Sequence, residues 1–394
     1  MFVLLRTQRG FSLIELLLAM AIFVVLIWVI GTAFQRVLPV AMRSTRTAES
    51  DISGIVGLEL LRSDLESAGY GLPWSFSEDI NYDEAKLTPG SALNDDDRNY
   101  ADPSQFKVPR AVATIEDADP LFSGSDVLTI RSQSVAANAT SRKWTYVESG
   151  GTTHTWSGGN LEPNDRVVLI RPIKNFAQSR ELVVSTKIPG KWSTTFNNYS
   201  TEIGKPDIYS LAEGRSDTYI IYGVDGGVDL SMPFNRADFF IRKPTDNKSL
   251  PQRCNLSTGI LYKNIVNQDG GGYISLPIFE CALDMQVVFD KLVPGAAATI
   301  QTSSIDDLSP QEIREQLRAI RVYILTHDGG PDRNYSYPTT DATGKTGTIL
   351  VGPGAGTGRL YTFNETTNAN WRNYRWRIYQ IVARPSNLTG NIVR

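Results

Sequence analysis

Nineteen consecutive residues, Leu16–Phe34, are apolar except for Thr32, and a glutamate stands directly before them. As an α-helix this run rises about 28 Å, close to the ~30 Å hydrocarbon core of a bilayer. It is long enough to cross a membrane, and no second stretch of the chain is. Glu15 adjoins this run, one turn from the start of the helix that contains it. An ionised carboxylate in that position costs about 2.5–3.5 kcal/mol on insertion scales. Such a residue marks a function and needs a counter-charge.

The counter-charge can be read from the residues just upstream, Arg9-Gly10-Phe11-Ser12-Leu13-Ile14-Glu15. Cleavage after Gly10 would make the α-amine of Phe11 the new terminus. Glu15 then stands four residues on, about 6 Å along the same face of a helix. Amine and carboxylate neutralise each other there, within one chain or between neighbours. The cost of the buried acid becomes a reason to assemble.

This heptad resembles the leader and cleavage site of type IV prepilins and pseudopilins, and the resemblance spans residues 6–34. It implies that residues 1–10 are a leader, that prepilin peptidase cuts between Gly10 and Phe11, that Phe11 becomes N-methylated, and that Glu15 drives docking into a filament. A conventional secretory signal would need a small-x-small cut site, which Gly31-Thr32-Ala33 offers, but a glutamate before the apolar core is foreign to that pattern. No cysteine follows for a lipoprotein. Arg6 and Arg9 precede the span while Arg36, Arg43 and Arg46 follow it, so charge counting does not orient it. The resemblance places the leader in the cytoplasm, a single pass in the inner membrane, and the remainder in the periplasm or, after assembly, outside the cell.

The chain has 394 residues, enough for a sizeable core beyond the helix. Without the first ten residues, which hold two arginines and no acid, 37 basic residues face 42 acidic ones, a net charge of −5. No basic run stands out, so nucleic acid is not an expected partner. Cys254 and Cys281 are the only cysteines. In an exported domain such a pair reads more readily as a disulfide than as two free thiols. Closing that loop stabilises by about 3–4 kcal/mol in the chain-entropy model.

Helical spacing extends over residues 11–68, with Gly31 and Pro39 as points of loosening or kinking. Residues 11–38 form the membrane or filament-core half, and 39–69 an amphipathic half. Leu58, Leu61, Leu65 and Ala68 recur on one face, extended by Ile52, Ile55 and Val56, while Glu59, Arg62, Asp64 and Glu66 point elsewhere. Gly69 and Pro73 end the helix. Residues 74–123 are acidic and aperiodic, and predict a long surface excursion.

Strands are predicted at Val127–Arg131, Lys143–Val147, Arg166–Arg171, Glu181–Thr186, Thr218–Gly223, Asp238–Arg242, Gly259–Ile265, Leu283–Phe289, Ala319–Thr326, Leu360–Asn364 and Tyr374–Ala383. Ser309-Pro310-Gln311-Glu312 is a helix start with a capping box. Residues 341–358 read as a glycine-rich connection.

The strand motifs, together with Asp64–Gly71, resemble the large PilW-type minor pilins. The resemblance implies an α+β fold: a long N-terminal helix, its first half membrane-spanning, packed on a large β-rich, mainly antiparallel head over residues 70–394, with room for an inserted subdomain. The expected role is a minor pilin contributing to initiation of a type IV pilus or to its tip. A J-type pseudopilin of a type II secretion system and a tip adhesin are the alternatives. Partners would be other pilins, prepilin peptidase and inner-membrane lipid. The proline common within pilin membrane helices is absent here, where Gly31 and Thr32 stand.

Catalytic constellations are missing from the sequence. His154 and His327 read as loop or surface histidines without a nucleophile or second ligand nearby, and no nucleophile elbow or zinc motif occurs. Gly344-Lys345-Thr346 imitates the end of a phosphate loop, but position 339 is Thr where that motif needs Gly. The run Gly352–Gly358 lacks dinucleotide-loop spacing. Asp225–Asp229 and Asp328–Asp332 offer oxygens to calcium but not a full ligand set, and read as solvated turns. Trp371–Tyr379 mixes aromatic and arginine residues as a terminal strand with one packed face would. No enzyme activity, cofactor or metal is expected.

Overall fold

The computed structural model describes residues 13–76, 80–98, 107–116, 124–147, 153–172, 180–185, 188–197, 219–246, 249–293, 295, 298–341, 345–354 and 356–388, with the backbone alone over 32–53. The chain divides into two compact units, Met1–Ile52 and Ser53–Arg394.

Helix α1 (Leu13–Glu66, 54 residues) begins in the first unit and ends in the second. Its stretch Leu13–Gly31 has a mean hydropathy of 3.0 and is exposed throughout. The expected weak points do not break it, because the helix is continuous through Gly31 and Pro39. An interior proline costs about 3 kcal/mol, which a helix this long absorbs. It ends at Glu66, followed by turns in which Gly69 takes a left-handed φ of 78° and donates its N–H to the carbonyl of Arg131 at 2.9 Å.

The second unit is β-rich. Its strands run β1 (Ser75–Phe76), β2 (Val112–Ile115), β3 (Val127–Arg131), β4 (Trp144–Val147), β5 (Arg166–Arg171), β6 (Glu181–Leu182), β7 (Ser193–Thr195), β8 (Tyr219–Asp225) and β9 (Arg236–Arg242). They continue as β10 (Gly259–Val266), β11 (Tyr273–Ala282), β12 (Asp284–Leu292), β13 (Thr299–Thr302), β14 (Leu317–Asp328), β15 (Gly347–Val351), β16 (Arg359–Phe363) and β17 (Arg375–Ala383). Helix α2 (Pro310–Gln316) carries the Ser309/Glu312 capping box.

One sheet is ordered β1-β6-β5-β8-β4, with β7 also on β5; a second is β11-β10-β9-β3-β2; a third is β13-β12-β14-β17; and β15 pairs with β16. The β1–β6 pair is parallel, and the other pairings among the described strands are antiparallel. The fold is an N-terminal apolar helix followed by a large, mainly antiparallel β head.

A single large core joins the three bigger sheets to the end of α1, through Leu61, Leu65 and Ala68. The buried stripe of that helix end differs from the hydrophobic pattern. Ile55 and Val56 are exposed, while Asp64 is buried. Gly54, Gly57, Leu61, Leu65 and Ala68 share one face at three- and four-residue spacing, so glycines occupy part of the stripe and the apolar pair falls outside it.

Residues 80–98 also depart from expectation. Far from being a surface excursion, this segment buries Ile80, Tyr82, Ala85 and Leu93 together with Glu84 and Asp95. It contains little regular structure beyond a 3₁₀ turn at Gly90–Leu93. Glu84 and Asp95 are buried because each meets an arginine, as described below. The predicted connection at 341–358 contains β15, whose Gly347 sits under the ring of Trp371.

The helix seat, a buried charge network and the candidate assembly site

Gly10 and Phe11 lie outside the described residues. Glu15 stands in the first turn of α1, exposed, with Leu13, Ile14, Leu16 and Leu17 around it also exposed. It is the one acidic residue in the described apolar stretch Leu13–Gly31. The helix therefore presents a membrane-length apolar surface carrying a single negative charge at one end.

Where α1 belongs to the second unit, its backbone approaches the edge strand β11 closely. A β-carbon built on Gly57 would stand 1.7 Å from the carbonyl oxygen of Ile278, and one on Gly54 would stand 2.9 Å from the Phe279 ring. Only hydrogen fits at position 57. Edge strands expose unpaired backbone groups and are commonly covered or interrupted; β11 carries Pro277 and lies against this part of the helix.

Two turns further along, Asp64 meets Lys263 of β10 at 2.7 Å, with both side chains nearly inaccessible. Burial pushes the Asp64 carboxyl up, and the Lys263 ammonium works against it. A buried ion pair of this kind is weak evidence for stability, but breaking one partner leaves a bare charge in the core. Close packing at Gly57 and the ion pair at Asp64 together define the position of the helix end on the sheet.

Beside this seat lies a network of fully buried charge. Arg131, at the end of β3, reaches Glu84 at 2.8 Å and Asp95 at 3.1 Å. Arg110 meets Asp95 at 3.0 Å and also donates its backbone N–H to it. Arg236 of β9 bridges Glu84 and Asp238, and Asp238 accepts further bonds from Thr129 and Tyr273. Burial alone would raise the Asp95 carboxyl, but Arg131 and Arg110 outweigh it and hold it below the usual carboxylate range. Three guanidinium groups face three carboxylates, so the cluster is neutral overall. It fastens segment 80–98 to the sheet of β11, β10, β9, β3 and β2.

The remaining sequence candidates take structural places. Cys254 and Cys281 are joined by a disulfide, Sγ–Sγ 1.97 Å. Cys281 has φ 55° and sits where the β10–β11 register slips. His327 is not on the surface but buried in β14. Its Nε2 accepts the Asn255 N–H at 2.9 Å, and its Nδ1 lies 3.1 Å from the Gly329 carbonyl. Burial pushes this imidazole down to about 3, with the Gly329 carbonyl opposing, so it is neutral near pH 7. His154 is exposed and stacks on Tyr146, ring centroids 4.8 Å apart.

In the acidic turns, Asp229 pairs with Arg166, Asp328 with Arg377, and Asp332 with Arg375. Among the described residues no group of three or more His, Cys, Asp or Glu side chains could hold a metal. Gly344 lies outside the described residues; Lys345 and Thr346 donate their N–H groups to Asp341, which makes a turn. Trp371, Tyr374 and Trp376 pack with Phe363 and Val351 in a buried cluster.

Sequence reasoning missed the helix seat and the charge network. Gly54-x-x-Gly57 was visible as a small-residue spacing on a helix. Nothing local in the sequence links Glu84 or Asp95 to arginines up to 152 positions away.

Comparison with known proteins places the N-terminus. Residues 5–31 match the family model described as the prokaryotic N-terminal methylation motif. A type IV-like pilin from Thermus thermophilus is similar in structure, with 11% sequence identity over 41% of this chain and 73% of that chain, at a TM-score of 0.20. A search of curated protein sequences finds no match. The chain thus carries, over residues 5–31, the prokaryotic N-terminal methylation motif of type IV prepilin-like proteins.

Proposed function

We propose that this protein is a minor pilin of a type IV pilus, cut by prepilin peptidase between Gly10 and Phe11, N-methylated at Phe11, and contributing to pilus initiation or to the tip. The observation that carries this reading is the methylation motif over residues 5–31, continuous with an exposed helix stretch of membrane length that bears one acid at its start. In the membrane, with the head in the periplasm, Glu15 is an expensive charge. In a filament it meets the amine of a neighbouring Phe11, and the apolar helices bundle. The size of the β head favours a rare or tip-located subunit over the J-type pseudopilin of a secretion machine.

The function is assembly, and the test separates processing from assembly. Glu15→Ala should be cleaved normally but should enter filaments poorly, with its content in sheared pili falling about tenfold or more, as expected when a charged partner with a buried counter-charge is removed. Gly10→Phe should retain the leader. Unchanged filament content of the Glu15 variant would remove the proposed role of that residue. Normal-length mature protein from the Gly10 variant would refute the cleavage site.

A further inference from the structure

Strand β11 meets the helix through a backbone that is twice out of step with its neighbour. Gly259 of β10 pairs with Ala282 and Ile260 with Glu280, so the ladder passes over Cys281. Leu261 pairs with Phe279 and Tyr262 with Pro277, so it passes over Ile278 as well. Each skipped residue is a β-bulge, which leaves its backbone groups out of the ladder. The Ile278 bulge supplies the carbonyl that leaves room for hydrogen alone at Gly57, and the next residue, Phe279, sets its ring against Gly54. The helix seat is therefore built on a bulge.

A one-residue slip in pairing sends the side chains beyond it to the opposite face. Only two pairs, Ile260–Glu280 and Leu261–Phe279, separate the bulges, so a slip at Cys281 passes directly to Ile278. Cys281 keeps its place at a φ of 55°, a conformation that disfavours a side chain. Three contacts oppose the slip. Thr326 Oγ1 donates to its carbonyl at 2.9 Å, Arg253 pairs with the adjoining Glu280, and the disulfide ties its sulfur to Cys254. Cys254 is itself anchored, since the N–H of the next residue, Asn255, donates to the buried His327 at 2.9 Å. The Arg253–Glu280 pair is partly exposed and holds weakly, and the threonine bond is a single neutral one. The disulfide is the covalent tie.

We propose that the Cys254–Cys281 disulfide is the lock of the helix seat. Its formation fixes the Cys281 bulge, holds the Ile278 carbonyl against Gly57, and so couples oxidation of the head to docking of the end of α1. In forming it the two thiols give up two protons and two electrons to a second disulfide, of glutathione or of an oxidant protein, which leaves as two thiols. Both cysteines are buried, so the lock closes as the head folds, and a reductant reaches it only through local opening. Where the oxidation takes place rests on the extracytoplasmic placement of the head; the coupling itself does not.

Coupling of this kind is reciprocal: a bond that favours seating is itself favoured by seating, by the same factor. The test equilibrates the detergent-solubilised full chain with mixtures of reduced and oxidised dithiothreitol and reads the reduced fraction by thiol alkylation and mass spectrometry. Gly57→Leu should shift the equilibrium toward the dithiol by about tenfold or more, the scale of a typical coupling between sites. Leu169→Ala, a truncation in a separate core cluster, should lower stability without moving that equilibrium. Amide exchange of the wild-type chain, oxidised and reduced, needs no substitution and stands even where Gly57→Leu does not fold. Reduction should remove protection over residues 57–66 and 276–282 and leave Arg166–Arg171 unchanged. An equilibrium unmoved by Gly57→Leu, an equal shift in Leu169→Ala, or protection lost evenly across the head would overturn the proposal. None of these readings involves the N-terminus, so failure here leaves the pilin reading standing.

Discussion

Arg131→Met is expected to lower the stability of the second unit by about 3–5 kcal/mol, the range for removing one partner from a buried ion network. The arginine is fully inaccessible and touches Glu84 and Asp95, both equally buried. It also donates to the carbonyls of Arg110 and Leu93. Methionine fills most of the volume but supplies no charge and no donors. Three carboxylates, Glu84, Asp95 and Asp238, would then share Arg110 and Arg236, and the carbonyl of Leu93 would lose its arginine donor. Restoring neutrality by adding Glu84→Gln should recover part of the loss, since an uncharged cluster carries a smaller desolvation cost. Chemical denaturation of the solubilised chain checks both variants. A loss below about 1 kcal/mol for Arg131→Met, the scale of an exposed pair, would show that the network is not holding segment 80–98 in place.

The second large effect falls on the helix seat and is notable for its sign. Glycine in a helix interior is normally worse than alanine by about 1 kcal/mol, so Gly57→Ala would stabilise an unconstrained helix. Here the new methyl would stand 1.7 Å from the backbone oxygen of Ile278, and backbone held between the paired residues Pro277 and Phe279 cannot step aside as a side-chain tip can. The expected result is a net destabilisation of about 1–3 kcal/mol, the usual cost of overpacking, with Gly57→Leu worse. Gly31→Ala is the matched control, since a β-carbon there meets nothing within 4 Å, and it should not destabilise. Thermal unfolding with a probe in the head reads both. A stabilised Gly57→Ala would mean that the helix does not press on β11 as described.

The sequence revealed most where local chemistry decides local structure. The capping box at Ser309, the central strand at Leu317–Asp328 and the strand at Arg166–Arg171 are legible because caps and dense β-branched runs act over a few residues. Strand β11 was missed because Pro277 interrupts it, and a proline is tolerated in a strand only where an edge leaves its missing N–H without a partner. Segment 80–98 was misread for a different reason. Glu84, Asp95 and their neighbours look like a solvated acidic loop until the fold brings Arg110, Arg131 and Arg236 to them, and that pairing is long-range. His327 was misplaced by the same logic, since its burial depends on Asn255 and the aromatic cluster around Trp376. At the N-terminus the motif itself was legible, and residues 5–31 match the methylation motif. A carboxylate before an apolar run is unusual in itself and needs no tertiary context to stand out.

Assembly as proposed turns on an amine created by proteolysis meeting the Glu15 carboxylate. Intact-mass and N-terminal fragment analysis of the protein purified from its own membrane is the most direct measurement of that idea. A mature chain beginning at Phe11, one methyl group heavier on its α-nitrogen, is the predicted result. A chain that begins at any other residue, or still carries Met1–Gly10, would contradict it.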